Sequence, residues 1–173
     1  LAAGLVFTSP GIPMLFQGQE FLQGEWFRDN VPLDWDLNDQ YQGIVRLYHD
    51  LIGLRLNKQG FSRGLRGQFL NIYHLNDTDN ILAFQRWDQH GPGDDVVVVL
   101  NFSNAPRENY EIGMPTTGLW KLRLNSDAPI YSSDFQGFFS SDVEAVGDSK
   151  DGLDARASIS IGPYSMLVFS QDG

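Results

Sequence analysis

The sequence predicts a mainly β protein. An antiparallel β-sandwich with Greek-key-like connections over residues 61–173 follows a partial βα unit over residues 1–60. Three observations lead there. A helical apolar period ends near Gly60 and gives way to strand-length apolar runs separated by turn residues. Those runs recur at short intervals, the spacing of a sandwich or barrel. Near the start, the apolar run Ile12, Met14, Leu15, Phe16 lies between Pro10-Gly11 and Gly18, as a buried parallel strand would.

The elements follow in order. Leu1 to Thr8 is small and apolar and reads as helix, ending at Ser9 because the following Pro10 disfavours helical backbone there. Ile12 to Gln17 is the predicted strand. Residues 18–39 carry aromatics, acids and glycines without a period, and so long a connection inside a compact domain is usually functional. Ile44, Leu47, Tyr48, Leu51, Ile52, Leu54 and Leu56 then recur at helical spacing. Asn38 or Asp39 is the expected N-cap and Gly60 the stop, and Gly53 inside this helix suggests close packing against a neighbour.

After Gly60, Phe69–Leu75 and Ile81–Trp87 around Asn76-Asp77-Thr78-Asp79-Asn80 read as a hairpin. The continuous β-branched run Val96 to Phe102 reads as a central strand. Tyr110–Ile112, Leu119–Leu124, Ala157–Ile161 and Met166–Ser170 are shorter strands, and residues 125–156, rich in Ser, Asp and Gly, read as a long irregular loop.

Composition narrows the function classes. A net charge of −10 argues against nucleic acid or an anionic membrane surface as partner. No apolar run approaches a membrane span. The absence of cysteine excludes disulfides and thiol nucleophiles. His49, His74 and His90 lack metal-ligand spacing, so no metal is expected.

Gly11, Pro13, Phe16, Gly18 and Glu20 together resemble, in register, the last barrel strand of the α-amylase family of glycoside hydrolases and glucanotransferases. The Pro32-Leu33-Asp34-Trp35 loop end and Asp50-Leu51-Ile52-Gly53-Leu54-Arg55 are similar to the family's closing βα unit. Val97 to Ser103, Gly118 to Lys121, Leu124 to Asp127 and Gly162 to Met166 resemble the all-β C-terminal domain, most of all that of glucan branching enzymes. The loop Phe21 to Asn30 has Glu25-Trp26-Phe27 but departs from the fuller Trp-Arg-Glu-Trp pattern associated with those enzymes. A hydrolase of the family or a separate carbohydrate-binding module is the alternative.

The resemblance implies the end of a (β/α)8 barrel plus its β domain, in a cytoplasmic enzyme acting on α-glucan without a cofactor. Retaining glycosidic chemistry needs two carboxyl groups about 5–5.5 Å apart. The family's carboxylates would precede Leu1, so no catalytic residue is assigned and the chain alone is expected to be inactive. Gln17, Gln19, Glu20, Trp26 and Phe27 are then candidate cleft-lining residues. Trp35 is expected in the core. Trp87 and Trp120 are candidate surface glucan contacts, with core packing the competing reading. Tyr48-His49-Asp50 lies in a helical period and is read as a coincidence of sequence. Asp148 to Asp154 has a faint calcium-loop look but lacks the acids an EF-hand needs. A barrel strand without its neighbours predicts that residues 1–58 pack on the β domain or pair with a second chain as a dimer.

Overall fold

The computed structural model describes residues 1–26 and 28–173. Helices α1 (Ala2–Thr8), α2 (Asp36–Gln40) and α3 (Gln42–Arg55) precede eight strands: β1 (Phe69–Asn76), β2 (Ile81–Trp87), β3 (Val96–Asn101), β4 (Arg107–Met114), β5 (Gly118–Asn125), β6 (Val143–Ala145), β7 (Ala155–Ile161) and β8 (Met166–Ser170). One antiparallel sheet runs β1-β2-β3-β8-β5-β6, and β4 pairs with β7 in a second. β8, the last strand, lies between β3 and β5, so the chain leaves the large sheet for β4 and returns, as the Greek-key-like expectation requires.

The large sheet is covered on both faces. Towards β4 and β7, Ile81, Ala83, Val97, Val99, Leu167 and Phe169 meet Ile112, Met114, Ala157, Ile159 and Ile161. On the other face, Phe84, Val98, Leu100, Met166 and Val168 meet Phe7, Leu51, Leu54 and Leu65. This explains two sequence patterns. β3 and β8 are buried at every position and, up to their last residues Asn101 and Ser170, read as unbroken apolar runs. β7 is covered on one side, and its buried residues alternate. α1 and α3 pack on the β domain, as one of the two expectations for residues 1–58 has it. α1 lies so near β8 that a Cβ on Gly4 would sit 2.5 Å from Met166 Sδ.

Two bulges redirect side chains. The register shift between Leu122 and Leu124 sends Leu122 against the inter-sheet core and Leu124 into the helix-side core. A shift between Ile72 and His74 turns His74 across to β4.

Several expectations need correction. Ile12 to Phe16 joins no ladder: Ile12 is 97% and Met14 81% exposed. An apolar strand pattern specifies burial only where partner strands exist, and among the described residues none pairs with this segment. The helix does not start at an Asn38 or Asp39 cap, since α2 and α3 follow one another through Tyr41 and neither has a side-chain cap. Nor does it stop at Gly60. Asn57, at φ 53°, closes α3: its N–H donates to Leu54 O and the Lys58 N–H to Gly53 O, each at 3.0 Å. That is a Schellman termination with Asn in the left-handed position. Leu56, the C-cap just before Asn57, is half-exposed. Trp35 is 64% exposed, with one side on Phe21 at 5.2 Å between centroids, because α2 is a single turn at the molecular edge. Within residues 125–156, β6 pairs with β5, and Val146 bridges Arg156.

Gly53 is buried mid-helix, yet a Cβ there would meet only the flexible Gln59 amide, at 3.5 Å. The close packing inferred for it is therefore ordinary contact. Gly53→Ala is expected to stabilise the protein by about 0.5–1 kcal/mol, since alanine lowers the backbone entropy of the unfolded chain. Urea unfolding that shows equal or lower stability would refute this.

Arg86 joins the helical and β parts. It points from β2 to the helix side, fully buried, and donates to the carbonyls of Phe69 (3.0 Å), Thr8, Leu65 and Gly67. Its charge faces carbonyl dipoles, among them the C-terminal carbonyl end of α1. Burial, with a further push from Arg55, draws its pKa down to about 10, so it remains charged at neutral pH. Arg55 works alongside, donating to Phe7 O, Ser9 O (2.6 Å) and Gly11 O.

Candidate functional site

The cleft-lining candidates sit in a self-supported loop. Gly18, at φ 88°, opens a 3-10 turn over Gln19–Phe21. The Glu20 carboxylate accepts the Gly18 N–H at 3.0 Å and the Gln19 side-chain carbonyl accepts the Phe16 N–H at 2.9 Å, so both side chains turn back on their own backbone. This turn packs against α3, where burial and then the Glu20 charge raise the Tyr48 hydroxyl above its ordinary pKa. Gln17 and Trp26 border one recess of about 30 Å³, room for roughly one water molecule. Trp26 is 88% exposed. Phe27 lies outside the described residues.

The two β-domain tryptophans separate. Trp120 is fully buried between the sheets, with its indole N–H on Thr116 O at 3.0 Å. As a surface glucan contact it is ruled out: it lies on the inner face of β5, opposite Val143, in the inter-sheet core. Trp87, at the end of β2, is half-buried in a stack of rings. Phe69 covers one face at 5.5 Å between centroids and 11° between planes, and His90 lies against it at 4.7 Å and 16°. The sequence singled out Trp87 but missed its neighbours. Phe69 is brought opposite it by hairpin register, which places directly paired residues on one face. His90 gave no signal beyond the turn-rich Gly91-Pro92-Gly93.

The loop carrying His90 is held by two buried carboxylates. Asp94 accepts the N–H groups of Asp88 and Gln89 and pairs with Arg63. Asp95 accepts from Gln85 Nε2 (2.7 Å) and the Gly91 N–H (2.6 Å), and bonds His90 Nδ1 at 2.9 Å. These bonds keep His90 in the left-handed region, φ 66°, which residues with a Cβ seldom occupy.

Other candidates have structural roles. Asp50, from Tyr48-His49-Asp50, accepts the Tyr131 hydroxyl at 2.9 Å and ties α3 to the loop after β5. Burial, followed by the bond to Asp50 and that residue's charge, raises the Tyr131 pKa. Asp151, in the calcium-like stretch, bonds His74 at 3.0 Å and accepts the Gly113 N–H at 2.9 Å. Among the described residues no group of three or more His, Asp or Glu is arranged to hold a metal ion. No helix among them is long and apolar enough to cross a membrane.

The fold is a small two-sheet antiparallel sandwich with helices packed on the outer face of its larger sheet. Comparison with known proteins gives the particular family. The model of the family described as "Alpha amylase, C-terminal all-beta domain" matches residues 72–172, and the chain belongs to that family. It is similar to the 1,4-alpha-glucan branching enzyme GlgB of Rhodospirillum rubrum, 32% identical over 98% of this chain and 23% of that protein. The branching enzyme GlgB of Rhizobium meliloti is 31% identical with the same coverage. The chain thus spans about a quarter of the length of these relatives. In fold it is similar to a pullulanase from an Anoxybacillus species, crystallised with maltotriose. The TM-score is 0.61 and the identity 21%, over 99% of this chain and 22% of that one.

Proposed function

We propose that this polypeptide serves as the C-terminal part of a cytoplasmic α-glucan-processing enzyme of the branching type, transferring an α-1,4-linked chain to a 6-hydroxyl. Residues 1–60 contribute the last βα unit of its barrel, and residues 61–173 the β domain that braces it. Sequence likeness to branching enzymes over nearly the whole chain, the helical segment included, carries this reading. The exposed apolar Ile12 and Met14 fit it, because neighbouring barrel strands would cover them. Gln17, Gln19, Glu20, Trp26 and Phe27 would then lie at the barrel's C-terminal face, where active sites of that fold form. In this reading the catalytic carboxylates belong to the rest of the enzyme, and the 173-residue chain alone is inactive on amylose.

The test is a chimera in which this chain replaces the span it matches in the R. rubrum enzyme. The expected outcome is loss of amylose–iodine colour together with new α-1,6 branch points and little gain in reducing ends. A chimera that mainly releases reducing sugar would favour the α-amylase-like hydrolase instead. The ring stack around Trp87 favours a second contribution, glucan binding by the β domain.

A further inference from the structure

We propose that the His90 end of the Phe69–Trp87–His90 stack, with the cavity beside it, binds a neutral α-linked glucan chain. The choice of α-glucan rests on the function proposed above; the site itself rests on geometry. His90 belongs to both features. Trp87 covers one face of its imidazole, the side chain stays 57% exposed, and the ring lines a cavity of about 470 Å³. That volume falls in the roughly 300–1,000 Å³ range of small-molecule sites.

The ring is preorganised. Its backbone conformation is costly for a residue with a Cβ, and the Asp95 carboxylate holds it through both the imidazole and the next N–H. Asp95 is 5% exposed and also anchored by Gln85, so the support is rigid. A well-buttressed aromatic presented to solvent beside a cavity offers a flat ligand face a surface that is already in place.

The surroundings select the ligand class. Asp154 and Thr116 stand exposed at the cavity, and Asp95 lines its wall. Carboxylates and hydroxyls accept hydrogen bonds, which a polyol donates abundantly. The same carboxylates repel phosphates and nucleic acids. A flat ring offers the apolar face of a pyranose a surface to pack against, with little side-chain entropy to lose. Trp87 and Phe69 support that ring from behind, which gives Trp87 a positioning role.

Isothermal titration of the 173-residue chain with maltoheptaose, with the histidine ring signals followed by NMR, tests the site. The unmodified chain is expected to bind and to shift the His90 ring resonances. His90→Gly suits the left-handed backbone, so it should fold with an unchanged or higher Tm while weakening binding about tenfold. Retained affinity in H90G, absence of binding up to about 10 mM sugar, or equal binding of a β-linked cello-oligosaccharide would each overturn the proposal. The two readings fail separately. A branching-competent chimera built on a chain that binds no maltoheptaose keeps the function and discards the site. Maltoheptaose binding lost in H90G, with a chimera that does not branch, does the reverse.

Discussion

Arg86→Met is expected to destabilise the protein by roughly 3–5 kcal/mol, the largest loss expected from any single charged residue here. The methionine fills much of the same volume, so the loss comes from hydrogen bonding. The carbonyls of Phe69, Thr8, Leu65 and Gly67 would lose their guanidinium donor inside the packed layer between α1, the 63–67 turn and the sheet. A buried acceptor left unsatisfied costs about 1–3 kcal/mol, and relaxation recovers part of the sum. For a protein of this size the loss corresponds to roughly 10 °C in Tm. Arg86→Lys should recover little, because one ammonium cannot reach carbonyls spread around a planar fork. A Tm within about 2 °C of the parent for R86M would show that Arg86 does not tie the two parts together.

Trp120→Ala is the second large effect, about 3–5 kcal/mol, with loss of cooperative unfolding if the two sheets no longer pack. Trp120 is the largest fully buried side chain, and its indole N–H closes the turn at Thr116 as well as filling the core. Trp120→Phe separates these roles. It keeps most of the apolar contact, loses the bond to Thr116 O, and should cost about 1–2 kcal/mol. Urea denaturation read by far-ultraviolet circular dichroism measures both. If W120A instead folded as stably as the parent while losing glucan affinity, Trp120 would be a binding residue after all. Its complete burial makes the stability loss the expected result.

Much of the architecture was legible along the chain. The hairpin of β1 and β2 follows from strand-length apolar runs on either side of Asn76-Asp77-Thr78-Asp79-Asn80, where Asn80 takes φ 56°. The unbroken apolar run of β3 announced a strand covered on both faces. β6 was missed because three residues in a polar stretch carry no period to detect. The end of α3 was misplaced by three residues because Asn57, tied to Ser62 through its side-chain carbonyl, takes the left-handed position that glycine more often fills. The site was less legible. Trp87 stood out as a large aromatic at a strand end, but its stacking partners come from β1 and from a turn. Trp120 looked equivalent by composition and is buried.

Local chemistry accounts for what could be read in order along the chain: strand periods, turn residues, the change from helix to sheet near Gly60 and the family likeness of short segments. These depend on neighbours a few residues away. Which face of a strand is covered, what Arg86 donates to, and which tryptophan meets solvent depend on groups distant in sequence. Arg86 bonds Thr8, 78 residues away, and the bulge at Arg123 reassigns Leu124 to the opposite core. Ile12 to Phe16 shows the same principle from the other side. Its sequence is that of a buried strand, yet without neighbouring strands to satisfy its backbone and cover its side chains it forms no ladder.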